Sequence, residues 1–251
     1  SPLKEAAVRG IRAQGAEALD CGLASTPGMF MGTVFPGTAF DGSIMLTASH
    51  LPAERNGMKF FTPEGGLDKP DITALLELAG GVEEAEGPSE AEPSELMGQY
   101  AAYLRGKIVE GADKGGRPLE GLHIVVDAGN GAGGFFVTQV LEPLGADCSG
   151  SRFLEPDGNF PNHIPNPEDR QAMEAIRSAV LDSGADLGLI FDTDVDRMSA
   201  VLPDGAEVNR DAIIALTAAI LAPGHPGGTI VTDSVTSDRL TVFLERDLGL
   251  K

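Results

Sequence analysis

Short apolar runs and helical patterns alternate along the second half of the chain, and this alternation constrains the fold most strongly. Residues 123–127 and 187–191 are apolar runs typical of buried strands, and residues 168–183 have a helical pattern between them. Strands that alternate with helices favour a sandwich in which helices cover a mostly parallel sheet. The sequence therefore predicts an α/β fold class with mostly parallel, mixed sheets.

Two polar, glycine- and proline-rich stretches divide the chain into units. They lie at residues 113–118 and 222–228, and such stretches are typical of linkers. A chain of 251 residues is long enough for more than one domain, each with its own core. We predict a first unit (residues 1–112), a second unit (residues 119–222) and a third unit (residues 228–251) that has only begun.

The charge of the chain excludes some classes of partner. The formal net charge is −20, which argues against general binding to nucleic acid or to anionic membranes. No apolar run is long enough to span a bilayer. The sequence starts at Ser1 and shows no signal or transit peptide, so we interpret it as a processed or trimmed product. Cys21 and Cys148 fit no metal or redox spacing, and we expect reduced thiols that are mostly buried.

Three carboxylates directly follow the apolar run at residues 187–191. Asp192, Asp194 and Asp196 stand at alternate positions and Arg197 follows them. Carboxylates held together at the end of a buried strand repel one another unless a cation joins them. Mg²⁺ prefers such oxygen ligands, with phosphate or water completing its coordination. The pattern favours a metal site over the alternative, an acidic surface turn.

A second group of polar residues follows the apolar run at residues 42–48. Ser49 and His50 stand at its end, where α/β folds place ligand sites. A serine here is also typical of a helix N-cap or a turn, and no nucleophile elbow is present. Lys59 follows an Asn-Gly turn within folding reach of Ser49, although a lone lysine is usually a solvated surface residue.

Three further features have a structural and a functional interpretation. Residues 129–134 contain the glycine spacing of a dinucleotide-binding turn, with Glu155 further on, but one such motif is weak support. Residues 25–28, Ser-Thr-Pro-Gly, fit a tight turn and a ligand loop equally well. His163 lies in a loop rich in proline and asparagine, and we expect it to be a polar surface residue.

Taken together, these segments resemble the α-D-phosphohexomutases, and the resemblance covers essentially the whole chain. The segment Thr-Ala-Ser-His-Leu-Pro at residues 47–52, with Asn-Gly-Met-Lys at residues 56–59, is similar to the phosphoserine loop of that family. Asp-Thr-Asp-Val-Asp-Arg at residues 192–197 is similar to its metal loop. Supporting matches in the same order lie at residues 25–27, 125–133 and 157–167.

The resemblance implies a fold, a reaction and roles for particular residues. A complete enzyme would have four domains, of which this chain matches most of the first, all of the second and the opening of the third. It would move a phosphoryl group within a hexose phosphate through a hexose 1,6-bisphosphate. Ser49 would be phosphorylated, Lys59 would be a general acid/base, and His50 and Arg197 would support the phosphoryl group. The ligands of Mg²⁺ would be Asp192, Asp194, Asp196 and the phosphate on Ser49.

The sequence also departs from the family pattern. Leu51 replaces an asparagine, and Thr193 and Val195 replace both glycines of the metal loop, so we expect an altered backbone there. These loops resemble a divergent branch of plant and algal plastids, which predicts a location in the plastid stroma, or otherwise in the cytoplasm. The groups that grip the non-reacting phosphate are not in this chain, so we expect little activity from it alone.

Two alternatives to the mutase prediction follow from the same residues. One is a non-catalytic structural or regulatory subunit derived from a mutase, in an assembly where a complementary chain supplies the rest. The other is a magnesium-dependent phosphatase of the haloacid-dehalogenase type, because residues 189–194 resemble its nucleophile strand, with Asp192 as the nucleophile.

Overall fold

The computed structural model describes residues 1–49, 55–112, 115–232 and 236–251. Several of its helices begin with side-chain caps, for example at Asp68, which makes a capping box with Asp71, and at Asp169, which accepts two backbone N–H groups. In chain order the elements are α1 (Pro2–Ala13), β1 (Leu19–Asp20), α2 (Thr26–Val34), β2 (Ser43–Leu46), β3 (Met58–Thr62), β4 (Gly65–Gly66), α3 (Lys69–Ala79), β5 (Glu92–Pro93), α4 (Leu96–Ala112), β6 (Ile124–Asp127), α5 (Arg170–Ser183), β7 (Leu187–Phe191), β8 (Met198–Val201), β9 (Glu207–Val208), α6 (Arg210–Leu221) and α7 (Asp238–Val242).

The second unit forms one four-stranded mixed sheet in the order β6-β7-β8-β9. β6 and β7 are parallel because α5 provides the crossover between them, whereas β7, β8 and β9 are antiparallel because short turns connect them. Val125, Ile176 and Ile190 are among the residues of the core between the sheet and α5. Val126 and Phe191 belong to a second core on the opposite face. The expected α/β architecture with helical layers on a mixed sheet is confirmed here.

The sheets of the first unit are smaller. β1 pairs with β5 in parallel, and β2, β3 and β4 form a separate antiparallel sheet. Antiparallel pairs therefore outnumber parallel ones among the described strands, because hairpins make most of the connections. The core of the first unit gathers Met29 of α2, Met45 of β2 and Leu96 of α4.

Helix α4 packs against the second unit, and α6 packs against residues that follow it in the chain. Ala101 of α4 packs with Val140 and Leu144 of the second unit. Ala218 of α6 packs with Leu240 and further apolar residues of the third unit. Within the described ranges, no helix has the length and apolar character needed to cross a membrane.

Several predicted elements differ from the observed ones. The apolar spacing of residues 1–20 predicts a helix and residues 21–24 are predicted as a short strand, but the helix ends at Ala13 and the strand pairing lies at Leu19–Asp20. Residues 135–144 are predicted as one helix from the sequence, but they form a π-helical turn, Phe136–Leu141, followed by a short 3₁₀ turn. Pro143 lies in that 3₁₀ turn and has no N–H to continue a regular helix. Residues 229–233 are predicted as a strand from the sequence. Residues 229–232 are not in a strand, and residue 233 lies outside the described residues.

Candidate metal centre

The three predicted carboxylates come together in the turn between β7 and β8. One carboxylate oxygen from each of Asp192, Asp194 and Asp196 lies within 4.8 Å of the others. Asp192 and Asp194 are buried at the carboxyl end of β7, whereas Asp196 is partly exposed. Such a group of hard oxygen atoms is suited to a divalent cation.

Asp192 is held by the turn that follows it. Its Oδ1 accepts the backbone N–H groups of Asp196 and Arg197, both at 3.1 Å, and its Oδ2 accepts Nε of Arg197 at 3.1 Å. Burial raises the pKa of Asp192 to about 6, while the N–H of Arg197 acts in the opposite direction and neighbouring Asp196 adds to the rise. Burial thus disfavours the ionised form of Asp192, and a bound cation would favour that form.

Asp194 has one satisfied oxygen and one that is not. Its Oδ2 accepts the hydroxyl of Thr26 at 2.7 Å and Nζ of Lys59 at 2.8 Å. Its Oδ1 is buried and has no hydrogen-bond partner among the described residues. Burial acts to raise the pKa of Asp194, but the hydrogen bonds from Lys59 and Thr26 outweigh it and lower the pKa. A buried, ionised and unpartnered oxygen beside two other carboxylates fits a cation ligand.

Lys59 of β3 reaches this group from the first unit. Its Nζ lies 2.8 Å from Oδ2 of Asp194 and 2.8 Å from Oδ2 of Asp196. Burial acts to lower the pKa of Lys59, but the hydrogen bonds with both carboxylates outweigh it and raise the pKa. Lys59 is therefore a cation bound to the site, and the interpretation as a solvated surface residue is wrong.

Ser49 lies beyond the end of β2 on the same hairpin as Lys59. Residue pairing places Met45 opposite Lys59, and the N–H of Thr47 donates to the carbonyl of Gly57 at 3.0 Å. Ser49 is half-buried, its φ is +52°, and its N–H donates to Oγ1 of Thr47 at 2.8 Å. His50 and Leu51 lie outside the described residues.

Two models of one protein family match this chain. The model of phosphoglucomutase/phosphomannomutase alpha/beta/alpha domain I matches residues 1–81, and that of domain II matches residues 99–205. The chain belongs to the phosphoglucomutase/phosphomannomutase family. The expected membership of the α-D-phosphohexomutases is thus confirmed, and it decides against the haloacid-dehalogenase alternative.

Individual members of the family resemble the chain over nearly all of its length. A phosphomannomutase/phosphoglucomutase of Pseudomonas putida is 32% identical over 98% of this chain and 51% of its own length. A solved family structure from Burkholderia thailandensis, 27% identical, has a TM-score of 0.80 over 96% of this chain and 52% of that one. The chain therefore spans about half the length of these relatives.

A more distant solved structure was determined with a sugar phosphate. It is an N-acetylphosphoglucosamine mutase of Aspergillus fumigatus in complex with glucose 1,6-bisphosphate. It is 16% identical, with a TM-score of 0.52 over 100% of this chain and 65% of that one. At this identity the likeness supports the phosphohexomutase fold alone.

The carboxylate loop, residues 192–197, contains a left-handed backbone position that is not occupied by glycine. Val195 has a φ of +63°, a conformation that is strained for a β-branched residue. Its side chain packs against the core that contains Phe191. Val195 is therefore a point of local backbone strain in this loop, and the expected difference from the family's glycine-containing loop stays a prediction.

The glycine-rich turn at residues 129–134 supports this loop. The N–H of Ala132 donates to the carbonyl of Thr193 at 2.8 Å. A Cβ at Gly131 would lie only 2.6 Å from that carbonyl oxygen, and one at Gly134 would lie 2.3 Å from the carbonyl of Leu154. The spacing that matches a dinucleotide fingerprint thus serves close packing between backbone segments.

His163 is buried, so the expectation of a polar surface residue was wrong. Its Nε2 lies 3.1 Å from both carboxylate oxygens of Asp127, which is also fully buried. Asp127 ends a strand in which every residue is buried. Because a buried carboxylate needs a partner, the apolar run before Asp127 was the sequence signal that a polar side chain such as His163 would be buried beside it. Asn166 of the same loop accepts Nη1 of Arg197 at 3.3 Å, which links the loop to the metal centre.

Thr26 was not assigned a role from the sequence, where its segment fitted a turn or a ligand loop equally. Ser25 caps α2 by accepting the N–H of Gly28, and Thr26 begins the helix. Both the hydroxyl and the N–H of Thr26 donate to Asp194. The structure therefore brings together Lys59, Arg197 and the three aspartates as expected, and adds Thr26 to them.

Proposed function

We propose that this chain carries the phosphoserine and cation-binding half of a phosphohexomutase that acts on hexose phosphates through a hexose 1,6-bisphosphate. The observation that carries the proposal is Oδ1 of Asp194, which is buried within a group of three carboxylates and has no hydrogen-bond partner among the described residues. Family membership supports the reaction class. Because the chain spans about half the length of its relatives, we propose that the complete reaction also uses groups that are not among its residues.

The proposed reaction exchanges a phosphoryl group between Ser49 and a sugar hydroxyl. The bond from phosphorus to Oγ of Ser49 breaks as a bond to the sugar oxygen forms, the sugar hydroxyl loses its proton and the serine oxygen gains one. The bisphosphate then reorients, and the reverse exchange phosphorylates Ser49 again from the phosphate at the other position of the sugar. In such transfers the protein mainly positions groups and neutralises charge.

Two cationic side chains fit this chemistry. Lys59 is paired with two carboxylates of the site, and we assign it the role of the general acid/base that exchanges a proton with the serine oxygen. Arg197 is held by Asp192 and Asn166, and we assign it the role of balancing phosphate charge. A Mg²⁺ held by Asp192, Asp194 and Asp196 would neutralise the negative charge of a phosphoserine, which is about −1.5 to −2.

The first test is phosphopeptide mass spectrometry of the 251-residue chain before and after incubation with Mg²⁺ and glucose 1,6-bisphosphate. We expect phosphate on Ser49 and none in the Ser49→Ala variant. Ser89→Ala, in the glutamate-rich stretch at residues 83–95, serves as the control that keeps the label. Labelling that persists in Ser49→Ala would refute the assignment of the phosphorylated residue.

Calorimetric titration with Mg²⁺ tests the cation separately. Asp194→Asn should weaken binding strongly, because it removes the charge at the unpartnered oxygen, whereas Asp182→Asn on α5 should bind like the unchanged chain. A chain with neither phosphorylation nor cation binding would favour the non-catalytic subunit, and a complementary chain would then be sought in native extracts.

We further propose the plastid stroma as the compartment, or otherwise the cytoplasm. The substitutions at Leu51, Thr193 and Val195 support this proposal. Imaging of the full-length protein fused to a fluorescent reporter, against chlorophyll fluorescence, tests it. A signal excluded from plastids would refute the stromal location.

A further inference from the structure

Thr26 of the first unit contacts Asp194 of the second unit at two points. Its backbone N–H donates to the carbonyl of Asp194 at 2.8 Å, and its hydroxyl donates to Oδ2 of the same residue at 2.7 Å. Both residues are buried. Thr26 thus contacts both the main chain and the side chain of an aspartate that is 168 positions away in sequence.

The position of Thr26 is itself tightly determined. Ser25, fully buried, caps α2, and Pro27 stands in its first turn. A Cβ at Gly28 would lie 2.9 Å from Sδ of Met97, so the start of α2 packs directly on α4. The N–H of Thr26 lies at a helix start, where backbone N–H groups have no partner within the helix. Asp194 supplies that partner.

These contacts determine which oxygen of Asp194 remains available. Thr26 and Lys59 both donate to Oδ2, whereas Oδ1 is buried without a hydrogen-bond partner among the described residues. Rotation of the carboxylate would break both bonds at once. Lys59 alone constrains it less, because the lysine is flexible, 34% exposed and shared with Asp196.

We propose that Thr26 is a positioning residue that holds Asp194 with Oδ1 directed to a divalent cation. The inference rests on the proposed function, since it assumes that the three carboxylates bind such a cation. It means that the first unit sets the cation affinity of a loop that belongs to the second unit. Residues that orient metal ligands typically change metal affinity by about 10- to 100-fold when they are removed.

The test is calorimetric titration of the whole chain with Mg²⁺, repeated with Mn²⁺. Thr26→Val keeps the shape but removes the hydroxyl, and we expect cation affinity to fall by about tenfold or more. Thr26→Ser keeps the hydroxyl and should stay within about threefold of the unchanged chain.

Thr33→Val is the matched control for these variants. It removes another buried hydroxyl of α2, one that donates to the carbonyls of Phe30 and Thr62 rather than to the metal loop. Its cation affinity should not change. Thermal unfolding without cation shows whether each variant is folded.

A double-mutant cycle with Asp194→Asn distinguishes positioning from a general loss of stability. If Thr26 acts through Asp194, Thr26→Val should cost little further affinity in the Asp194→Asn background. If Thr26→Val does not fold, Thr26→Ala replaces it and must bind the cation at least tenfold more weakly than Thr26→Ser.

The outcomes separate this inference from the proposed function. Equal cation affinity of Thr26→Val, or of Thr26→Ala where it is used, and the unchanged chain would overturn the positioning role while leaving the cation site intact. An unchanged chain that binds no divalent cation would overturn the cation site itself, and the inference with it.

Discussion

The first and second units differ in how completely they bury their apolar residues. The second unit packs one four-stranded sheet between α5 and the π-helical turn, with separate cores on its two faces. The first unit divides its strands between two small sheets, and α3 has no buried residue. Leu76 and Leu78 of that helix are 68% and 70% exposed.

This difference separates the two halves of the candidate site. The carboxylate loop belongs to the better packed second unit, whereas Ser49, Lys59 and Thr26 belong to the first. Regions with few buried contacts open more readily than well-packed cores. We therefore expect the geometry of the carboxylates to be rigid, and the approach of the serine hairpin to depend on the stability of the first unit.

The largest effect should come from breaking the buried ion pair of the second unit. Asp127→Ala leaves His163 buried without its partner, and loss of one member of such a pair costs about 3–5 kcal/mol. Chemical unfolding followed by circular dichroism measures the loss. Asp41→Ala, at an exposed position, is the control. A loss below about 1 kcal/mol would show that the pair does not stabilise the second unit as we infer.

A core deletion in the first unit should act on that unit alone. Leu96 is fully buried, and Leu96→Ala should cost about 2–5 kcal/mol through lost contacts and a cavity. Hydrogen exchange with mass spectrometry should show faster exchange in α2 and β2 and unchanged exchange in β7. Leu76→Ala, at an exposed site, should have almost no effect. Equal acceleration in both units would contradict the inferred difference in packing between them.

An added methyl group should disturb the contact that supports the metal loop. Gly131→Ala places a Cβ 2.6 Å from the carbonyl of Thr193, and such overpacking typically costs about 1–3 kcal/mol. Cation binding should weaken as well, because the loop must shift. Gly158→Ala, where a Cβ meets open space, is the control. Full stability and affinity in Gly131→Ala would mean that the turn does not fix the loop.

The smallest expected effect is that of pH on the second unit. Burial opposes the charged form of His163, but the hydrogen bond to Asp127 outweighs it and raises the pKa above the ordinary value of 6.5. The stabilisation is therefore fully present below the unfolded value and is lost as pH rises through the higher folded pKa. Thermal unfolding from pH 6 upward should show a decline that His163→Gln lacks. Parallel curves for the two proteins would refute the assignment.

Sequence patterns predicted the parts of the fold that depend on local chemistry. The strands β2, β6 and β7 lie within two residues of the expected positions, because apolar runs and turn residues are local signals. Assignments failed where neighbouring structure decides the outcome. Residues 229–232, for example, have the sequence pattern of a strand but pair with no other strand among the described residues.

The sequence by itself determined the carboxylate loop and the serine hairpin, because each is a contiguous segment. The family resemblance followed from several such segments in the same order. Tertiary structure alone decided that Thr26 meets Asp194, that His163 is buried against Asp127 and that Gly131 supports Thr193. These contacts join residues that are tens to more than a hundred positions apart, and spacing along the chain carries no information about them. They form because buried polar groups must find partners wherever the fold places them.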